Sequence, residues 1–261
     1  MENFQYHRPG SVNDALSHAT GEARFLAGGQ SLLPSMKLGL AVPDALVDLN
    51  GLEDLRAIKL EGGELVIGAM ATHASVAASE VVQKAIPGLA DLAGRIGDRQ
   101  VRNRGTIGGS LANNDPAACY PAALIGLGGA VVTNKRSIPA DDFLKGFYET
   151  ALESGEMITS VRFSVPEKAA YEKFRQPASR FSIVGVFVSK GKNGTRVAVT
   201  GAGPVAFRAT DIEQALSKDW SPKAASSIKV SADGLNTDLH GSAEYRAALI
   251  PVLAGRAVAR S

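Results

Sequence analysis

The sequence predicts an α+β fold, and three observations carry that reading. Strand-like and helix-like stretches do not alternate as regular βαβ units, so a doubly wound sheet is not expected. Two apolar runs are joined by Glu61-Gly62-Gly63, a hairpin signal. A second pair of apolar runs flanks Gly191-Lys192-Asn193-Gly194, and helical patterns fill the remainder of the chain.

Taken in order, residues 4–6 read as a short strand. Pro9-Gly10 then makes a turn, Ser11 can cap a helix, and Asp14 three residues later favours the helix start. Residues 23–26 form a strand running into Ala27-Gly28-Gly29-Gln30-Ser31, an amphipathic piece follows Pro34, and 43–49 is a further strand. Strands at 55–60 and 64–67 form the hairpin, Thr72 caps a helix from His73, and a second helix covers 89–96 up to Gly97. A basic loop leads to Thr106-Ile107-Gly108-Gly109-Ser110. An alanine-rich helix spans 116–127, and strands are expected at 130–133 and 157–165. Pro166-Glu167-Lys168 reads as a linker, with strands at 183–190 and 196–201 and helices near 211–217, 221–230 and 242–258 beyond it. The expected division is 1–165, in two parts of about 1–54 and 55–165, followed by 166–261.

Composition narrows the chemistry. Of the 261 residues, 45% are hydrophobic and 21% charged, as in ordinary globular proteins. A net charge of +2, from 28 basic and 26 acidic side chains, gives no reason to expect a nucleic-acid partner. The single cysteine, Cys119, excludes an internal disulfide and a cluster held by four thiolates of this chain. Four histidines at 7, 18, 73 and 240 lack metal-ligand spacing. No stretch is long and apolar enough for a membrane span, and the N-terminus lacks a signal-peptide pattern, so a cytoplasmic location is expected.

Two segments stand out together. Ala27-Gly28-Gly29-Gln30-Ser31 and Thr106-Ile107-Gly108-Gly109-Ser110 each set a Gly-Gly pair after an apolar run with a hydroxyl close by. Such pairs can turn backbone N–H groups into an anion nest, while Ser31, Thr106 and Ser110 offer hydroxyls to phosphate oxygens. On spacing alone, two ordinary turns fit equally well.

The longer strings Phe25-Leu26-Ala27-Gly28-Gly29-Gln30-Ser31-Leu32-Leu33-Pro34 and Arg104-Gly105-Thr106-Ile107-Gly108-Gly109-Ser110-Leu111-Ala112-Asn113-Asn114-Asp115-Pro116 decide between them. They resemble the two FAD-diphosphate motifs of the medium, flavoprotein subunit of the carbon monoxide dehydrogenase and xanthine dehydrogenase family of molybdenum hydroxylases. The likeness runs from Phe4-Gln5-Tyr6 to Gly201-Ala202-Gly203-Pro204. It implies a two-subdomain FAD-binding domain of the vanillyl-alcohol-oxidase and muramate-reductase type, with a smaller C-terminal α+β domain. By the same resemblance, residues 26–33, including Leu26, Ala27, Gly28, Gly29, Gln30, Ser31 and Leu32, line the diphosphate and adenosine. Thr106, Gly108, Gly109, Ser110 and Asn113 take the second side, with Val101 nearby. Met157 and Ile158 match a strand near the adenine, Lys173 a lysine near the ring system, and Phe181 an aromatic beside the isoalloxazine. Many relatives carry an aspartate where this chain has Cys119, and the thiol is expected to pack as a small apolar group.

The implied role is electron transfer. Electrons would pass from a molybdopterin-binding large subunit, through a [2Fe-2S] small subunit, to FAD here and on to an external acceptor. No catalytic acid–base pair, nucleophile or metal-ligand set is evident in the chain itself. Rival functions are a self-sufficient flavin oxidoreductase and a nucleotide-binding or scaffold protein without redox activity. Gly201-Ala202-Gly203-Pro204-Val205-Ala206 mimics a dinucleotide fingerprint, but the next helix, capped by Thr210-Asp211-Ile212-Glu213, starts too late to serve it. Arginines 95, 99, 102 and 104, with Asp91 and Asp98 near, read as a solvated face, a docking patch or charge support for the diphosphate. His73 is read as a helix-start residue.

Overall fold

The structure is a computed structural model that describes residues 2–261. The first 50 or so residues build a three-stranded parallel sheet from β1 (Gln5–His7), β2 (Arg24–Leu26) and β3 (Ala45–Asp48), in the order β1-β3-β2. Two short helices connect the strands, α1 (Val12–Ser17) and α2 (Leu32–Lys37). The side chain of Ser11 accepts from Asp14 N and starts α1, as the sequence predicts.

The second layer is a five-stranded antiparallel sheet, β4-β5-β10-β6-β7, made by β4 (Ile58–Glu61), β5 (Glu64–Gly68), β6 (Ala130–Thr133), β7 (Ser137–Pro139) and β10 (Ile158–Ser164). The hairpin turn sits on Gly62 and Gly63, with φ of 60° and 82°, the left-handed pair that a two-residue reversal demands. Helices α3 (His73–Ala78), α4 (Glu80–Ala85), α5 (Pro87–Gly94), α6 (Arg99–Arg104), α7 (Ile107–Asn113), α8 (Tyr120–Gly126) and α9 (Ala140–Phe143) fill the long excursion between β5 and β10. A small ribbon of β8 (Leu144–Gly146) and β9 (Glu149–Thr150) follows α9.

The third layer is an antiparallel meander, β11 (Lys168–Arg175), β12 (Ser182–Gly191), β13 (Gly194–Thr200) and β14 (Phe207–Arg208). It carries α10 (Thr210–Lys218), α11 (Pro222–Ser226) and α12 (Ala243–Arg260). Helices α10 and α12 pack on this sheet, and so do α5 and α8 from the preceding layer. Strand β12 is buried from Ser182 to Ser189, as coverage of both faces requires. The largest hydrophobic cluster accordingly joins Leu89, Leu124 and Phe163 to Tyr171, Phe187 and Ala198 across the layers.

Several expectations are corrected. The basic loop after Gly97 is the helix α6: Asp98 accepts from Val101 N as its N-cap rather than pairing with an arginine. The helix expected at 116–127 starts only at Tyr120, because the Asp115 side chain accepts from Ala117 N and holds a turn first. The strand expected from 55 begins at Ile58, after a 3-10 turn at Glu53–Arg56. The helix at 221–230 stops at Ser226. Glu213 does not close a capping box; α10 starts at Thr210 and its Glu213 carboxylate accepts from Val197 N and from Arg208. The loop at 201–206 leads into β14 rather than a helix.

Candidate functional site

The two glycine-rich segments meet face to face. Loop 27–31 follows β2, and its carbonyl at Ala27 accepts from Asn50 Nδ2 at 3.0 Å. Asn50 in turn is held by Asp48 Oδ1, which accepts from both its backbone and its amide, while Tyr6 donates to the other Asp48 oxygen. The second segment is stitched to the stretch after β5: His73 N donates to Gly105 O, Ile107 N to Ala71 O and Gly108 N to Ala69 O. The segments touch at Gly28, where a Cβ would stand 2.1 Å from Arg104 O. Glycine is required here by the close approach of two backbones.

The two segments have different donor chemistry, which their similar sequences do not reveal. Among the described residues, the N–H groups of Gly28, Gly29, Gln30 and Ser31 donate to no protein acceptor. Gly29 has φ of 71°, and the Ser31 hydroxyl makes no cap bond to α2. In the second segment every N–H from Ile107 to Ser110 is already used, Gly109 N donating to Thr106 Oγ1 and Ser110 N to Thr106 O. Gly108 and Gly109 lie in the first turn of α7 rather than in a nest, so the expectation of two equivalent nests is corrected. The second segment contributes side chains: Ser110 and Asn113 have no protein hydrogen-bond partner among the described residues. At Gly109 an added Cβ would meet Thr106 Oγ1 at 3.0 Å and Ala27 Cβ at 3.5 Å.

Between these segments lies a cavity of about 460 Å³. It is lined by Ala27, Gly28, Gly29, Gln30, Ser31 and Leu32 on one side and by Thr106, Gly109, Ser110 and Asn113 on the other. A second cavity of about 200 Å³ shares Gln30, His73 and Ser110 with it and continues to Val101, Cys119, Lys173 and Phe181. Thirteen of the sequence-predicted residues are thus gathered on one connected cleft. Leu26 and Gly108 stand behind it, Gly108 packed on Ala69. Met157 and Ile158 are buried, 3% and 5% exposed, and line neither cavity, so the expected contact of this strand with a cleft ligand has no counterpart in the lining.

At the far end of the cleft, Lys173 is 7% exposed and donates to Arg180 O at 2.9 Å and toward Cys119 Sγ at 3.4 Å. Cys119 also lies 3.6 Å from Ser182 Oγ. The thiol is buried as expected, but it is part of a polar cluster and borders the cavity rather than packing only against apolar atoms. Phe181 is half exposed and follows Arg180, whose φ of 64° is left-handed.

These features fit FAD. Free N–H groups and hydroxyls suit the anionic oxygens of a diphosphate, and the narrower, partly aromatic cavity suits a ring system. Residues 2–167 match the family model described as the FAD binding domain in molybdopterin dehydrogenase. The chain belongs to this family. It is 36% identical to the carbon monoxide dehydrogenase medium chain of Hydrogenophaga pseudoflava, over 98% of this chain and 96% of that one. It is 35% identical to the nicotine 6-hydroxylase medium subunit of Paenarthrobacter nicotinovorans, with the same coverage. Solved structures agree: carbon monoxide dehydrogenase from Hydrogenophaga pseudoflava superposes with a TM-score of 0.87 at 35% identity, covering 99% of this chain and 96% of that one. Quinoline 2-oxidoreductase from Pseudomonas putida 86 gives 0.89 at 30% identity, with the same coverage. The protein is therefore an FAD-binding flavoprotein of an oxidoreductase family whose members are subunits of larger enzymes. No described helix is long and apolar enough to cross a membrane.

Sequence reasoning missed His73. Its ring borders both cavities, it is 5% exposed, and its Nδ1 is buried without a partner. Burial, and then the charge of Arg102, lower its pKa from 6.5 to about 4, so the imidazole is neutral at neutral pH. Arg24, Leu40 and Ala41 also line the larger cavity. A single sequence carries no signal for these, because only the folded loops bring them to the cleft. The arginine cluster divides: Arg95 pairs with Asp91 and Glu172, while Arg102 donates to the carbonyls of Ile96 and Gly97.

Proposed function

We propose that this chain is the electron-transfer flavoprotein of a molybdenum hydroxylase, taking electrons from iron–sulfur clusters and delivering them to an external acceptor. The partners in this reading are a molybdopterin-binding large subunit and a [2Fe-2S] small subunit. The observation that carries it is the single cleft lined by the two glycine segments at one end and by Lys173 and Phe181 at the other, which would suit a diphosphate and a ring respectively. Bound FAD supplies the capacity to accept electrons singly and release them singly or in pairs.

The chain's own residues bind and orient. Gly28 to Ser31 would donate N–H groups to the diphosphate, Ser110 and Asn113 would add side-chain donors, and Leu32 and Val101 would supply apolar walls. The buried Lys173 would place positive charge on the wall of the ring cavity and so favour electron density arriving there. His73, neutral, fills the wall between the two cavities without adding a charge that would compete. A division at 1–165 and 166–261 follows, with the C-terminal layer closing the ring end of the cleft through Lys173 and Phe181. A location in the cytoplasm belongs to the same reading.

Co-expression with the large and small subunits tests the assembly. A complex that co-elutes in gel filtration, and whose flavin band bleaches when its hydroxylation substrate is added, is the expected result. Separate elution of the three chains would contradict it.

A further inference from the structure

The fold holds His73 in the cleft wall without satisfying it. The imidazole stands 5.4 Å from the ring of Tyr120, and its Nδ1 is buried with no partner. A buried polar atom without a partner costs free energy, and an apolar side chain would fill the same space without that cost. Room is also made for the ring. Gly105 has φ of −61° and ψ of 141°, dihedrals open to any residue, but a Cβ there would stand 2.5 Å from His73 Nε2. Glycine at this position serves the imidazole rather than the backbone. The placement is fixed from both sides. His73 N donates to Gly105 O at 2.9 Å, the Thr72 side chain caps α3, and Thr72 bridges to Thr106.

The tautomer follows from the same contacts. Burial and the charge of Arg102 keep the ring neutral, so it carries a single N–H. Nδ1 has no acceptor for a proton, which leaves that proton on Nε2. Nε2 lies beside Gly105 on the wall of the larger cavity, and no group among the described residues accepts from it. Three residues line both cavities: Gln30, His73 and Ser110. The Gln30 amide already donates to Gly28 O at 3.2 Å. His73 and Ser110 are therefore the free side-chain donors where the cleft passes from its glycine-lined end to its Phe181 end. In FAD, the part that joins the diphosphate to the ring is the ribityl chain, whose hydroxyls accept hydrogen bonds.

We propose that His73 is an FAD-binding residue, its Nε2–H donating to a ribityl hydroxyl at the junction of the two cavities. The inference rests on the reading of the connected cleft as the flavin site. In this role the imidazole favours nucleotides that carry a ribityl chain, because a ligand ending at the diphosphate leaves Nε2–H unpartnered. Its rigid placement means that little ordering is needed when the flavin arrives.

The test titrates the full chain, stripped of flavin, with FAD and follows quenching of flavin fluorescence. His73→Leu should raise the Kd for FAD about three- to tenfold, the size of one net hydrogen bond. The flavin-free variant should melt no lower than the parent, since the orphaned Nδ1 is gone; a role in packing alone would lower it. His73→Gln, which keeps a donor at the end of its side chain, should bind FAD within about twofold of the parent. ADP, used as a competitor, lacks the ribityl chain and should bind the parent and His73→Leu equally. Unchanged FAD affinity in His73→Leu overturns the proposal, and so does a parallel fall in FAD and ADP affinity. His73→Gln binding no tighter than His73→Leu also overturns it. Should His73→Leu fail to fold, the parent labelled with 15N-histidine decides: FAD, but not ADP, should shift the Nε2 resonance of one of the four histidines, and resonances indifferent to FAD overturn the assignment. A parent chain that takes up no FAD overturns the flavin-site reading beneath it, and that titration, done first, separates the two failures.

Discussion

At Gly109 the structure changes the reason for an effect while keeping its direction. The residue sits in the first turn of α7, so a side chain there strains no dihedral. Its Cβ would press on Thr106 Oγ1, and the methyls of a valine would extend into the space between the two segments. Gly109→Val should lose most bound FAD while its circular dichroism stays close to that of the parent; unchanged flavin content would show that this face of the cleft does not touch the cofactor. His73 makes a second prediction. With a pKa of about 4 in the folded chain against 6.5 when unfolded, the unfolded state takes the proton first as pH falls. Stability should therefore drop between about pH 6.5 and pH 4, by roughly 3 kcal/mol from this group. Melting temperatures of the parent and of His73→Gln across that window check it, the variant showing the flatter profile. A slope identical in both would assign the pH dependence to other groups. The glycine segments were legible in the sequence through their resemblance to the family's motifs, whereas the helical start of the second was not, since spacing alone fitted two ordinary turns. The role of His73 was not, since its place on the cleft comes from Gly105 packing against its ring.

Among the elements, the glycine segments act as a pair only because each is pinned elsewhere. Loop 27–31 hangs on Asn50 and Asp48, and segment 104–108 hangs on the chain between Ala69 and His73. Gly28→Ala should push the two apart, since its Cβ cannot share space with Arg104 O. Overpacking of this kind costs about 1–3 kcal/mol, and both the melting temperature and the FAD affinity should fall. Asn50→Ala should weaken FAD binding with a smaller loss of stability, of about 1 kcal/mol, because it removes hydrogen bonds to one loop rather than inserting volume. Equal FAD affinity in the parent and in Asn50→Ala, by titration, would mean that this anchor does not set the loop. Capped elements were the readable ones: Ser11 and Thr72 each accept from the residue three positions on, as their sequences suggest. Strand β11 was missed because Lys168 to Arg175 alternates only in part, and its place is fixed by pairing with β12 along nearly its whole length. Helix α6 was missed because Arg99 to Arg104 has no apolar stripe; Asp98 at its start and arginine donation to nearby carbonyls hold it.

For the molecule as a whole, the cleft is a product of three layers meeting. The first layer supplies loop 27–31, the second supplies α6 and α7, and the third supplies Lys173 and Phe181. The α+β class followed from local patterns, but the shared core that joins Leu124 and Tyr171 did not, because long-range packing leaves no periodic trace in one chain. The same holds for a neighbouring cleft of about 350 Å³, whose walls combine the loop between β8 and β9, the turn before β12, residues 115–117 and the segment 236–246. Since FAD in this reading touches all three layers, it should stabilise the whole chain rather than one loop, and the apparent melting temperature should rise with FAD concentration as mass action requires. The most direct measurement is the visible absorption spectrum of the purified chain, before and after adding FAD and desalting. The account predicts retained flavin bands, with roughly one FAD released per chain on denaturation. A colourless chain that takes up no added FAD would contradict it.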